Sequence, residues 1–167
     1  MRALAGKQIL SGQDFYPRDE AAGAAIATIW KETRMDNRSS NSLYDRLGGE
    51  TGVRHLVEIF YDIVEHEPEG RDLMLLHLRG HGVAHSRIEQ FNFLSGFFGG
   101  PKLYAEKHGH SNVRKMHEHV VINAGARDSW LNCMVLALDR VGTSAETKTA
   151  VMTHFRTVAS MLKKSDT

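Results

Sequence analysis

From position 43 onward the apolar residues return every three or four positions. Leu43, Tyr44 and Leu47 predict a short helix closed at Gly48-Gly49, because glycine takes the left-handed conformation that ends helices. Val53, Leu56, Val57, Phe60, Tyr61 and Val64 then mark one face of a helix over about 51–66, ended by Pro68 and Gly70. Leu73, Leu75 and Leu76 read as a short apolar turn, and Gly80-His81-Gly82 as a loop. A second long helix, 84–98, places Ile88, Phe91, Leu94 and Phe98 on one side. A third, 126–141, aligns Trp130, Met134, Leu138 and Val141 before Gly142. Ser144 suits an N-cap, and a fourth helix, 145–163, carries Val151, Phe155, Val158 and Leu162. No stretch shows the period-two alternation of a strand, and no segment repeats. The expected class is all-α.

Two regions depart from this rhythm. Residues 1–41 combine Gly12, Pro17 and Gly23 with an alanine-rich piece from Ala21 to Trp30 and the polar run Asp36 to Asn41. They read as an N-terminal extension that carries one helix, Arg18 to Thr33, with Ile26, Ile29 and Trp30 as a narrow stripe. The helical domain then occupies 42–167. The connection from 99 to 125 is too long for a turn, and long irregular connections in compact domains are usually functional or disordered.

Composition narrows the classes. The chain has 167 residues, of which 41% are hydrophobic, enough for one domain with a real core. A formal net charge of +1 offers neither the basic surplus expected of a nucleic-acid binder nor an acidic tract. No apolar run approaches the roughly 20 residues that span a bilayer. Met1 to Leu10 lacks the apolar centre of a secretion signal. Cys133 stands alone, so no internal disulfide forms and a reducing compartment suits the chain. The expected location is cytoplasmic, as a monomer or homodimer.

Histidine is the outlier, with ten. Position decides among them. Phe97-Phe98-Gly99-Gly100-Pro101, followed by Tyr104, Glu106, Gly109-His110, Arg114 and His117, reads as a helix end, a break, a tether and a short helix presenting His117. Such an element aims one imidazole at a flat cofactor in an apolar pocket, and histidine is the usual protein ligand of a haem that binds oxygen. A second grouping points elsewhere. His108/His110 and His117/His119 are His-x-His pairs, and His81 and His85 are four residues apart, spacings that suit zinc, nickel or copper without specifying them.

Several of these segments together resemble the truncated haemoglobins, in their second group. Tyr44-Asp45-Arg46-Leu47-Gly48-Gly49-Glu50 resembles the family's opening, and Phe60-Tyr61-Asp62 its second-helix signature. Phe91 to Pro101 with Tyr104, Glu106, Gly109-His110, Arg114 and His117 resembles the stretch leading to the proximal histidine. Arg127-Asp128-Ser129-Trp130-Leu131-Asn132-Cys133-Met134 resembles the helix whose tryptophan faces the haem. The likeness covers about 42–163. It implies a globin-like two-over-two helical sandwich around haem b, with His117 as proximal iron ligand. It further implies that Tyr61, Gln90 and Trp130 line the distal side, with Ser86 leaving room for ligand and His77 in the preceding turn. Met116 stands where a basic residue is common, and Glu118-His119-Val120-Val121 where a proline is usual.

On this reading Arg114 and then Lys107, with Arg79 third, would meet the haem carboxylates. Apolar cover would come from Phe91, Leu94, Phe98, Met116, Val121, Ile122, Trp130 and Met134. The ligands would be O2, NO and CO, stabilised by the Tyr61 phenol, the Gln90 amide and the Trp130 indole N–H. Reversible binding or sensing stands beside a redox role, either dioxygen with nitric oxide or turnover of peroxide. The redox role needs an external electron donor, since no part of the chain reads as a reductase. A helical interaction protein without haem is the third class, against which the retained Tyr61, Gln90, Trp130 and His117 argue.

Overall fold

The protein was analysed as a computed structural model that describes residues 42–162. The proposed extension, 1–41, lies outside the described residues. Ser42 opens the fold with a capping box: its hydroxyl accepts from the Asp45 N–H at 3.2 Å while the Asp45 carboxylate accepts from the Ser42 N–H at 3.2 Å. The short helix α1, Leu43–Arg46, follows. Gly48, at a φ of 95°, supplies the left-handed residue that separates it from α2, Gly49–His66. The α2 stripe is the deepest part of the core. Val53, Leu56, Val57, Phe60, Tyr61, Ile63 and Val64 are all buried along it. Full burial of each large side chain contributes about 1.5–3 kcal/mol.

A 3-10 turn over Pro68–Gly70 leads into α3, Arg71–Arg79. The expected apolar turn at Leu73–Leu76 is therefore a nine-residue helix. Leu73 is buried and Met74 packs partly against the core, while Leu75 and Leu78 are 49% and 65% exposed, so the local leucine cluster mimicked a turn. Helix α4 spans Val83–Phe97. Its expected single apolar side is corrected at Ile88, which is 59% exposed. Phe91, Leu94 and Phe98 face the core, whereas Ser86, Gln90, Phe93 and Phe97, at intervals of four, three and four, line a cavity.

The 99–125 connection contains two short helices, α5 at Leu103–His108 and α6 at Val113–Met116. Asn112 caps α6 by accepting from the Lys115 N–H at 3.1 Å. Asn123 caps α7, Ala124–Arg140, by accepting from the Ala126 N–H at 2.8 Å, which starts that helix two residues earlier than its apolar pattern does. Ser144 accepts from the Thr147 N–H at 3.3 Å and opens α8, Ala145–Leu162. Helix α2 packs on α4 and α7, and α7 packs on α8. The long helices thus form two pairs, α2 with α4 and α7 with α8, while α1 packs on α2 and α8, α3 on α2, α4 and α7, α5 on α4, and α6 on α8. Among the described residues there is no strand, and no helix is long and apolar enough to cross a membrane.

Candidate functional site

Helices α2, α3, α4, α7 and α8, with the 103–122 segment, surround a cavity of about 450 Å³. That volume lies within the roughly 300–1,000 Å³ typical of small-molecule and cofactor sites. Tyr61 enters it from α2, buried to 2% exposure because its neighbours Val57, Phe60 and Val64 turn that face inward. Its hydroxyl donates to Gln90 Oε1 at 3.1 Å and lies 3.4 Å from His77 Nε2. His77 Nδ1 is 2.7 Å from the Leu73 carbonyl, an oxygen that can only accept, so Nδ1 carries the proton. In the tautomer with the proton on Nδ1 alone, Nε2 is an acceptor, and the single Tyr61 proton then faces two acceptors. Burial pushes the Tyr61 phenol well above its ordinary pKa, against the opposing influence of Ser86 and Arg87, so it stays a neutral donor.

Gln90 is half satisfied. Its Oε1 accepts from Tyr61, but its buried Nε2 has no partner among the described residues. An unmet buried donor costs about 1–3 kcal/mol. Such a group calls for a partner that the described residues do not supply, whether an ordered water or a bound ligand. Trp130 of α7 lines the same cavity, edge-on to Phe155 at 4.9 Å between ring centroids and tilted to Phe60 at 5.4 Å. Ser86 also lines it, and its hydroxyl donates to the Gly82 carbonyl one turn back at 2.9 Å.

His117 sits at the C-terminal end of α6 and lines the cavity with Val113, Met116, Val120 and Ile122. Its Nδ1 lies 2.8 Å from the Val113 carbonyl, one turn back, and so donates to it. A histidine held this way has its ring orientation and tautomer fixed, which is how ligating imidazoles are usually supported. The cavity wall also carries charged groups. Glu89 accepts from Lys107 and lies 2.6 Å from His108 Nε2, and the Tyr104 ring lies tilted against His108 at 4.3 Å between centroids. His81, His85 and His119 line it too, with ring centroids 5.2 and 5.5 Å apart around His81. Among the described residues no group of three or more His, Cys, Asp or Glu is arranged to hold a metal ion, so the histidine spacings do not assemble such a site.

The cavity gathers Tyr61, His77, Ser86, Gln90, Leu94, Met116, His117, Ile122 and Trp130 from the sequence expectations. Others fall elsewhere. Phe91, Phe98 and Met134 do not line it; they belong to the core, with Phe98 and Met134 fully buried and the Arg54 guanidinium 3.9 Å over the Phe91 ring. The cause is helical register, since α4 and α7 are apolar on two sides and the core takes the side those residues occupy. Arg114 is exposed and outside the lining, as is Val121 at 70% exposure. Arg79 likewise lies outside it, and Lys107 is engaged by Glu89. Phe93 and Phe97 were missed, although the spacing 86, 90, 93, 97 carries the signal. Glu89 was missed, and Tyr104, His81, His85 and His119 were singled out by motif or spacing but not as lining of this cavity, because their convergence joins distant parts of the chain.

A family model described as bacterial-like globin matches residues 42–164. The group 2 truncated haemoglobin YjbI of Bacillus subtilis is 34% identical over 109 residues, covering 65% of this chain and 78% of that one. The cold-adapted truncated haemoglobin of Pseudoalteromonas haloplanktis is similar in structure, with a TM-score of 0.70 at 32% identity over 75% of this chain and all of the other. The group II two-on-two haemoglobin of Agrobacterium tumefaciens gives 0.71 at 28% identity over 77% and 98%. A truncated haemoglobin of Bacillus subtilis described as oxygen-avid gives 0.64 at 29% identity over 74% and 100%.

Proposed function

The chain belongs to the bacterial-like globin family, with group II truncated haemoglobins among its relatives, and from that premise we propose that the cavity holds haem b on His117 and binds dioxygen beside Tyr61, Gln90 and Trp130. The observation that carries this reading is the orphaned Gln90 amide, a buried donor in the cavity that His117 also lines. When bound, haem would supply the iron that takes a diatomic ligand. With Nδ1 donating to Val113, His117 would hold that iron through Nε2. Gln90 Nε2 would find in the ligand the acceptor it otherwise lacks. The Tyr61 proton, shared between two acceptors, would turn to a third that carries partial negative charge, since charge-assisted bonds are the stronger class. Leu94, Met116 and Ile122 would exclude water. Dioxygen avidity in the Bacillus subtilis relative accords with several distal donors.

The same donors suit turnover with nitric oxide or peroxide, for which an external electron donor is required. Nitric oxide consumption under turnover separates that role from plain binding. The test of the proposal is the absorption spectrum of the protein loaded with haem b, in ferric, ferrous and carbon-monoxide forms. The expected outcome is a one-to-one complex with a histidine-ligated ferrous spectrum. A protein that takes up no haem from stoichiometric hemin overturns the reading.

A further inference from the structure

One arginine joins the two helices that carry Tyr61 and Gln90. Arg87 lies on α4, three residues before Gln90, with its side chain only 18% exposed. Its guanidinium reaches three carboxylates of α2. Nη1 donates to Glu58 Oε2 at 2.5 Å and to the Glu58 carbonyl at 3.0 Å; Nη2 donates to Asp62 at 2.8 Å and to Glu65 at 2.5 Å. Glu58, Asp62 and Glu65 occur at intervals of four and three, one face of α2, and Tyr61 sits within that span. The same guanidinium lies 5.6 Å from the centroid of the Tyr61 ring.

Because Tyr61 lies three and four residues from Glu58 and Glu65, a fork on these carboxylates is held beside the phenol. From there its charge acts on that phenol in the acidifying direction. The three carboxylates are more exposed than Arg87, with 51%, 55% and 31% of their side-chain surface open, so water screens them better than it screens the guanidinium. Against the cost of burial, those carboxylates hold Arg87 firmly protonated, above its ordinary pKa.

We propose that Arg87 is a positioning residue for ligand binding, fixing Tyr61 against Gln90 and polarising the Tyr61 hydroxyl toward a ligand in the cavity. The inference rests on the haem reading given above. The fork needs arginine: lysine keeps the charge but cannot reach three carboxylates in one plane.

The test compares wild type, R87M, R87K and Y61F, each loaded with haem b. It measures the dioxygen dissociation rate, the carbon-monoxide stretching frequency and the melting temperature. R87M is expected to release dioxygen roughly two- to tenfold faster, the range set by weakening one hydrogen bond, and to move the stretch to higher frequency as positive field is lost. R87K is expected to retain more of the wild-type frequency than R87M but with a broadened band, because the fork no longer holds Tyr61 in one place. An R87M protein with a lowered melting temperature but wild-type release and frequency overturns the proposal, since a mere staple would behave that way. If R87M does not fold, R87K carries the test, and a single wild-type band with wild-type release overturns it. Y61F separates the two levels of the argument. If Y61F shifts release and frequency while R87M shifts neither, the role of Arg87 alone is lost. If Y61F shifts neither, the distal-donor reading beneath it is lost.

Discussion

The cavity wall that carries Tyr61 and Gln90 is cut from helices of 18 and 15 residues, whereas the stretch that carries His117 is assembled from helices of six and four. On the first, seven α2 side chains are buried and a four-bond arginine fork ties α2 to α4. On the second, α5 and α6 bury no side chain fully; α5 is tied to α4 through Glu89, Lys107 and His108, and α6 is ordered by the Asn112 cap and the His117–Val113 bond. Helices this short are not stable alone. The difference separates two jobs. Tyr61 and Gln90, the proposed donors to a small ligand, stand on long helices of the core, while the residue proposed to grip a large cofactor stands on short helices with no fully buried side chain. Binding energy then stabilises the compliant wall, because whatever binds only the folded state adds to its stability.

If that division is right, His117→Ala produces the largest effect. Loss of an outer-shell partner alone typically costs roughly 10–100-fold in metal affinity, and loss of the ligand itself should exceed that. Haem transfer to an acceptor globin measures it, and unchanged transfer would remove His117 from the grip. On the rigid wall, Tyr61→Phe should leave haem content intact and speed dioxygen release. A charge-assisted bond is worth about 1.5–3 kcal/mol, which corresponds to roughly 10–150-fold. Stopped-flow displacement by carbon monoxide reads the rate, and a wild-type rate would assign Tyr61 to packing alone.

The contrast also predicts where the backbone tolerates a methyl group. A Cβ on Gly52 would stand 1.7 Å from the Leu47 carbonyl oxygen, backbone that cannot swing aside. A Cβ on Gly109, between α5 and α6, would meet nothing within 4 Å and would suffer only from its φ of 74°. Gly52→Ala should therefore cost at least the roughly 1–3 kcal/mol of an overpacked site. Gly109→Ala should cost about 1–2 kcal/mol for the left-handed conformation. Urea titrations that rank the pair the other way would undo the claim that the two walls differ in rigidity.

How much of this the chain announces follows the same division. The long helices were legible because a buried face imposes a period, and α2 shows it without ambiguity in Val53, Leu56, Val57, Phe60 and Val64. Helix α4 was legible as a helix but not in its register, because it faces both core and cavity; Phe91 and Phe98 looked like pocket residues and Phe93 and Phe97 did not. The leucines of α3 lack a stripe and so read as a turn. Tyr61, Gln90, Trp130 and His117 stood out through motif resemblance, and the structure brings all four to one cavity. The Glu89–Lys107–His108 cluster and the Arg87 fork had no local signature, because each joins residues 18 or more positions apart.

That cluster is where the two walls meet, and it supplies the smallest prediction. Glu89 belongs to α4, Lys107 and His108 to α5. Burial acts to raise the Glu89 pKa, but hydrogen bonds from Lys107 and His108 outweigh it and hold the carboxyl below the ordinary range. A carboxyl depressed in the folded state contributes stability that is present above its unfolded pKa, about 4.3 for glutamate, and is lost as pH falls through the folded value. Glu89→Gln should thus be less stable than wild type at pH 7. The deficit should be on the order of 1 kcal/mol or less, because Lys107 is half exposed and water screens the pair. The deficit should shrink as the pH drops below the carboxylate range, where wild type loses the same contribution. Urea unfolding at neutral and acid pH compares them. A deficit of equal size at both would mean that Glu89 stabilises by packing alone, and that charge does not join the rigid wall to the compliant one.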